Sequence, residues 1–266
     1  MKVVSEHDDF PSAGLADAGG PIYWATLSYA RWWLAVDAPY LGAVKAASGV
    51  LTEEIAEDFL KNYRVRRGFK GSKEGRMGSL VDAANSAASR WPNGLFARYE
   101  ACKKLAQEWR DSGVNSHEAE TVQISAATKI MWLLKPEGWP IFDRFVCIAM
   151  NAGSAKGYYS QLASIGFEHV RDAFQEVIDE SPWKGMHSAK LIDHFLLVRG
   201  SNMKAGEVFP WPAEDIHKTD GFLSVLNSTM KNSLFKLARE LECVGHAYTG
   251  NEGFLPPKRR YARRGK

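Results

Sequence analysis

Lys129 and Asp143 are the residues of this chain whose types and spacing point to a particular reaction. The stretch from Ser125 to Val146 reads Ser-Ala-Ala-Thr-Lys-Ile-Met-Trp-Leu-Leu-Lys-Pro-Glu-Gly-Trp-Pro-Ile-Phe-Asp-Arg-Phe-Val. This is an apolar helix bearing Lys129, a proline-bounded turn, and a second helix opening on Asp143, fourteen positions on. An amine and a carboxylate presented from consecutive helices can face one cleft. A lysine is a poor nucleophile while protonated, and an apolar wall disfavours the cation. Ile130, Met131, Trp132 and Leu133 supply a wall of that type. Asp143 follows Pro140-Ile-Phe at an N-cap position, where backbone N–H groups hold a carboxylate ionised. A neutral amine can attack an electrophilic carbon and collapse to a Schiff base, while the carboxylate stabilises a developing cation or orients a water. The same pair suits cleavage of a nucleotide's glycosidic bond. The plainer account is a snorkelling lysine and a capping aspartate with no chemistry.

The elements that must position this pair are helical almost throughout. The spacing predicts helices over 22–36 and from Thr52, as N-cap, through Tyr63. Others are expected over Ser79–Trp91, from Pro92 to about Asp111, and over Ser116–Leu134. In the helix that Pro92 starts, Leu95, Phe96, Tyr99, Cys102, Leu105 and Trp109 have core spacing. Further helices are expected over 143–151, 158–165, 167–180, 186–199 and 220–244. In the 186–199 helix Leu191, Ile192, Phe195 and Leu196 face inward and Gly200 is the C-cap. No alternating strand longer than about four residues stands out, so the expected fold is all-α. It comprises a loose N-terminal tail over 1–20, a helical domain over 21–247 and a basic tail over 248–266. A cleft is expected between lobes 21–112 and 113–247.

Composition narrows the class. Of 266 residues, 45% are hydrophobic and 24% charged, enough for a real core. No uncharged apolar run approaches the ~20 residues of a membrane span. The N-terminus lacks signal-peptide order. Cys102, Cys147 and Cys243 are isolated and odd in number, which favours a reducing cytoplasm over a disulfide framework. The formal charge is only +3, but six basic residues fall in Lys258–Lys266. The segment 64–76 carries Arg64, Arg66, Arg67, Lys70, Lys73 and Arg76 against one Glu74, with Gly68, Gly71 and Gly75 opposing a helix. A basic loop and a basic tail suit phosphate contact, with a solvated loop and a solubilising tail as the bland alternative.

Thr128-Lys129, the apolar helix after it, and Pro140-Ile-Phe-Asp143-Arg-Phe-Val together resemble the catalytic segment of the 8-oxoguanine DNA glycosylases of the helix-hairpin-helix superfamily. They are also similar to a bacterial branch of small, diverged proteins of that type. The resemblance covers about residues 120–150. It implies that Lys129 is the nucleophile and Schiff-base former, that Asp143 helps deprotonate the amine and stabilises the sugar cation, and that the partner is double-stranded DNA. The family's glycine-rich hairpin of Leu-Pro-Gly-Val-Gly type is replaced here by Glu120-Thr-Val-Gln-Ile-Ser-Ala-Ala, without glycine. A phosphate grip at this place would rest on Ser125, Thr128 and the basic loop.

A base-excision enzyme holds its flipped base between flat side chains. Trp132, three positions after Lys129, Phe142, and His187, His194 and Phe195 on a later helix are the pocket candidates, each set against a plain core role. His117 and Glu120 share a helix face but lack a third ligand, so no metal is expected. Phosphate-cradling loops and nucleophile elbows are absent from the sequence, and no cofactor is expected. The leading expectation is therefore a DNA glycosylase/β-lyase acting on a damaged or modified base. The alternative is a non-catalytic helical module that binds DNA or a protein partner. A lysine-dependent enzyme on a small carbonyl substrate comes third.

Overall fold

In the computed structural model, residues 29–30, 32–69, 76–115, 122–180 and 185–204 are described. Among them the chain is helical, with one isolated antiparallel bridge, Phe69 to Asn115, and no strand. The fold is all-α. A π-helical turn, Trp33–Asp37, runs into α1 (Ala38–Ala46). Then come α2 (Glu53–Asn62), a 3-10 turn (Arg66–Gly68), α3 (Arg76–Ser89), α4 (Leu95–Asp111) and α5 (Ile124–Leu134). The chain continues through α6 (Arg144–Ala149), α7 (Ala155–Ser164), α8 (Phe167–Glu180) and α9 (Ser188–Lys204).

The central element is α5. From Ala126 to Leu134 every residue is buried, and α1, α2, α3 and α4 all pack on it. A helix apolar all round is stable only inside a core, which is where it lies. One buried cluster runs from Tyr29 to Val198 and includes Trp33, Trp109, Trp132 and Trp139. α2 starts as expected, with the Thr52 hydroxyl accepting from the Ile55 N–H. No helix among the described residues is long and apolar enough to cross a membrane.

Several expected boundaries shift. The helix bearing Lys129 does not extend back through Val122 and Gln123. The Ile124 N–H donates to the Val122 carbonyl in a tight turn, so α5 begins at Ile124. The helix expected from Pro92 begins at Leu95, after Gly94 at φ +84°, a backbone that favours glycine. Its first N–H is met from afar: Leu95 N donates to Glu168 of α8. Phe96, expected in the core, is 40% exposed. Gly200 does not cap its helix, because α9 continues to Lys204. A Cβ there would stand 1.9 Å from the Phe145 carbonyl oxygen, so the missing side chain is what lets α9 lie against α6. The expected helices over 220–244 and most of 22–36 fall outside the described residues, as do both tails.

Gly200 therefore carries a prediction with a definite sign. In an open helix, Gly→Ala gains about 1 kcal/mol. At this contact Gly200→Ala should instead destabilise by about 1–3 kcal/mol through overpacking. Urea unfolding of the two proteins measures it, and a stabilised variant would rule out the close approach.

Candidate active site

Two hydroxyls tie α5 to the extended segment that delivers Asp143. The Thr128 hydroxyl donates to the Ser125 carbonyl and accepts from the Phe142 N–H at 3.1 Å. The Ser125 hydroxyl donates to the Phe142 carbonyl at 3.1 Å. From the other side the Tyr159 hydroxyl donates to the Pro140 carbonyl. The turn before this segment is gripped by two guanidinium groups: Arg98 donates to the Glu137 carbonyl and Arg171 to the Gly138 carbonyl. Gly138 has φ +76°, and a Cβ there would meet the Arg171 Nη1 at 2.8 Å.

These ties place the amine and the carboxylate together. Lys129 Nζ donates to Asp143 Oδ2 at 3.0 Å and to Ser125 Oγ at 3.0 Å. Asp143 Oδ1 accepts from the Phe145 N–H, so the residue is both N-cap and ion-pair partner. The lysine side chain is 5% exposed and the aspartate 22%, so the pair opens to solvent on the carboxylate side. Burial raises the Asp143 carboxyl, but the Lys129 ammonium, the Phe145 N–H and Lys190 outweigh it and hold it below the usual carboxylate range. The surroundings of the amine are thus not the purely apolar wall expected from its helix neighbours.

A second layer lies behind the first. Lys129 Nζ stands 5.9 Å from the centre of the Tyr63 ring, and Lys190 Nζ stands 5.7 Å from the same ring and 5.7 Å from that of Trp132. Lys190 pairs with Asp193 at 2.9 Å, with both side chains buried. The Tyr63 hydroxyl and the Trp32 indole N–H both donate to Asp37 Oδ1. Burial, opposed by Lys190, pushes the Asp37 and Asp193 carboxyls up to about 6. Burial and Asp37 push the Tyr63 phenol well above its usual range.

Sequence reasoning missed Asp37, Tyr63, Lys190 and Asp193. A signal existed: Lys190 and Asp193 sit three apart in a helix whose other residues here, Leu191, Ile192, Phe195 and Leu196, are apolar. Charges in such a helix must find partners inside.

The other candidates fall as follows. Trp132 is fully buried and meets His187 edge-on at 6.1 Å. His187 precedes α9 and also contacts Trp33. Burial lowers the pKa of His187, and burial with Lys190 brings His194 down to about 3, so His194 is neutral at pH 7. His194 packs against Tyr29, Phe142 is partly buried near Tyr158, and Phe195 is fully buried. Thr128 has no exposed surface, and its hydroxyl serves the α5 link. Arg66 is tied to Glu57 and to the Phe69 carbonyl, and Arg76 to the Gly113 carbonyl. Arg64, at φ +57°, and Arg67 are exposed. The segment they belong to starts one residue after Tyr63. Gly68 lies against Gln123, at the N-cap position of α5, so the basic turn flanks the start of the lysine helix. Lys70, Lys73 and Lys258–Lys266 lie outside the described residues.

Comparisons with family models, with curated proteins and with solved structures return no match.

The two inner carboxyls give the fold a pH signature. A carboxyl whose folded pKa lies above its unfolded value of 3.8 contributes stability that is full below that value and lost as pH rises through about 6. Each group is worth on the order of 2–3 kcal/mol. Urea unfolding between pH 4 and pH 7 should show the native chain losing stability relative to Asp37→Asn as pH rises. Parallel curves would mean that Asp37 titrates normally.

Proposed function

We propose that this chain is a DNA glycosylase with β-lyase activity, acting through Lys129 on a damaged or modified base. The observation that carries this reading is the 3.0 Å contact between the buried Lys129 amine and the partly open Asp143 carboxylate. Arg64 and Arg67, exposed in the turn that follows Tyr63, suit contact with a phosphate backbone. A helical domain with lobes 21–112 and 113–247 would hold the bent duplex between them.

In this reading a nucleotide is flipped out of the duplex. The Lys129 ammonium gives its proton to the Asp143 carboxylate, and the neutral amine attacks the anomeric carbon. The bond to the base breaks, and the base leaves with the electron pair and takes up a proton. Asp143, ionised again, balances the oxocarbenium character of the sugar. Ring opening gives an imine between Lys129 Nζ and the sugar carbon. Loss of a C2′ proton then expels the 3′ phosphate, and water releases the enzyme.

A second reading, a non-catalytic helical module that binds DNA or a protein, draws on a different observation. The Lys129 amine is already met by Asp143, Ser125 and the Tyr63 face, as a core strut would be.

Borohydride trapping separates the two. Abasic and 8-oxoguanine duplexes should each give a covalent adduct with the native chain. Lys129→Ala should abolish the adduct and leave DNA binding intact. Asp143→Asn should slow adduct formation by about 10²–10⁴-fold. An adduct that survives Lys129→Ala would remove Lys129 from its role, and none from the native chain would favour the binding module. Separately, Arg64→Ala/Arg67→Ala should weaken duplex binding and reduce the salt slope by about 1 per lost phosphate contact. An unchanged slope would place the DNA elsewhere.

A further inference from the structure

The chain buries three carboxyl groups and two amines around one tyrosine. Asp143 is the outer carboxyl, while Asp193 and Asp37 are fully buried. The Lys129 and Lys190 amines share the Tyr63 ring. Among the described residues, Asp193 Oδ1 and Asp37 Oδ2 have no hydrogen-bond partner, so each inner carboxyl keeps an oxygen with attraction to spare. Asp193 also feels the charge of Lys129 directly. Lys129 is therefore subject to two pulls: outward to Asp143, at the solvent-facing side, and inward to Asp193.

We propose that Lys190 is a positioning residue for Lys129: by pairing with Asp193 it leaves the Lys129 amine paired to Asp143, on the side where a substrate would arrive. This inference rests on the reading of Lys129 as the reacting amine. A buried carboxylate without a cation is costly, so without Lys190 Asp193 must either take up a proton or draw in the nearest ammonium, and Lys129, whose charge already acts on it, is that ammonium. Among the described residues, the other ammonium on the Tyr63 ring is that of Lys129. The neighbouring described phenol and imidazoles add no competing charge. The Tyr63 phenol is held protonated by burial and Asp37, His194 is neutral, and burial disfavours the His187 cation. The outer carboxylate is fixed by the Phe145 N–H and cannot follow the amine inward.

The test reads Lys129 without DNA. The native chain, Lys190→Met, Lys190→Arg and Lys190→Met/Asp193→Asn are methylated with formaldehyde and a borohydride reductant at pH 7.5. The rate at Lys129 is followed by peptide mass spectrometry. Lys190→Met should slow it by about tenfold, the size of effect one buried charge produces on a neighbour. Lys190→Arg, which keeps the cation, should stay near the native rate. The double variant, which removes the competing carboxylate with its partner, should recover most of the rate.

A double variant as slow as Lys190→Met would overturn the proposal, since Lys190 would then act only through the fold. So would an unchanged rate in Lys190→Met. If Lys190→Met does not fold, the double variant decides alone: near-native supports the proposal, tenfold slower overturns it. Borohydride trapping on the abasic duplex, run beside it, keeps the two readings apart. No adduct from the native chain, with the methylation pattern as expected, would sink the glycosylase while leaving the positioning of Lys129 in place.

Discussion

The arrangement of the site depends on one constraint: an ammonium inside the central helix must meet a carboxylate. Lys129 sits in the middle of α5, where every neighbour from Ala126 to Leu134 is buried. Its charge cannot be left to solvent, so the chain brings Asp143 to it from the next helix. The α5–α6 connection is built around that need. Ser125 and Thr128 spend their hydroxyls on Phe142, Tyr159 holds Pro140, and Arg98 and Arg171 hold the turn. Each of these bonds restricts where Asp143 can stand. Together they hold the amine and the carboxylate in register.

The outer pair was legible in the sequence because its signals are local. A lysine in an apolar helix, a proline-bounded turn and an aspartate before an apolar run are read within about twenty residues. The N-caps at Thr52 and Asp143 were legible for the same reason, since capping is decided by one side chain and the N–H groups after it. What escaped the sequence was decided at a distance. Gly200 has the look of a helix stop, yet its use is to let another helix's carbonyl approach. Leu95 starts its helix on a carboxylate from Glu168, seventy-three positions away. Asp37, Tyr63 and Lys190 come from three separate segments, and no spacing rule joins them.

The basic loop shows a related limit. Composition treats Arg64, Arg66, Arg67 and Arg76 alike, whereas the fold sorts them. Arg66 and Arg76 have become internal fasteners, one on Glu57 and the other on the Gly113 carbonyl. Arg64 and Arg67 keep their exposure. A charge run in the sequence measures how much cation is present. Only the fold determines how much of it faces a partner.

The inner layer bears on why such a core exists. An ion pair buried as Lys190 and Asp193 are stabilises less than apolar side chains of the same volume, because both charges lose their water. Asp37 adds a third charge-bearing group at the same place, again at a cost. Leucine or methionine at these positions would fill the space between Tyr63 and Trp132 without that penalty. Stability by itself therefore gives no reason for the cluster. Its position does supply one: Lys190 shares the Tyr63 ring with Lys129, and Asp193 is close enough to interact with the charge of that amine. Under the proposed function, that cost is part of what keeps the Lys129 amine paired to Asp143.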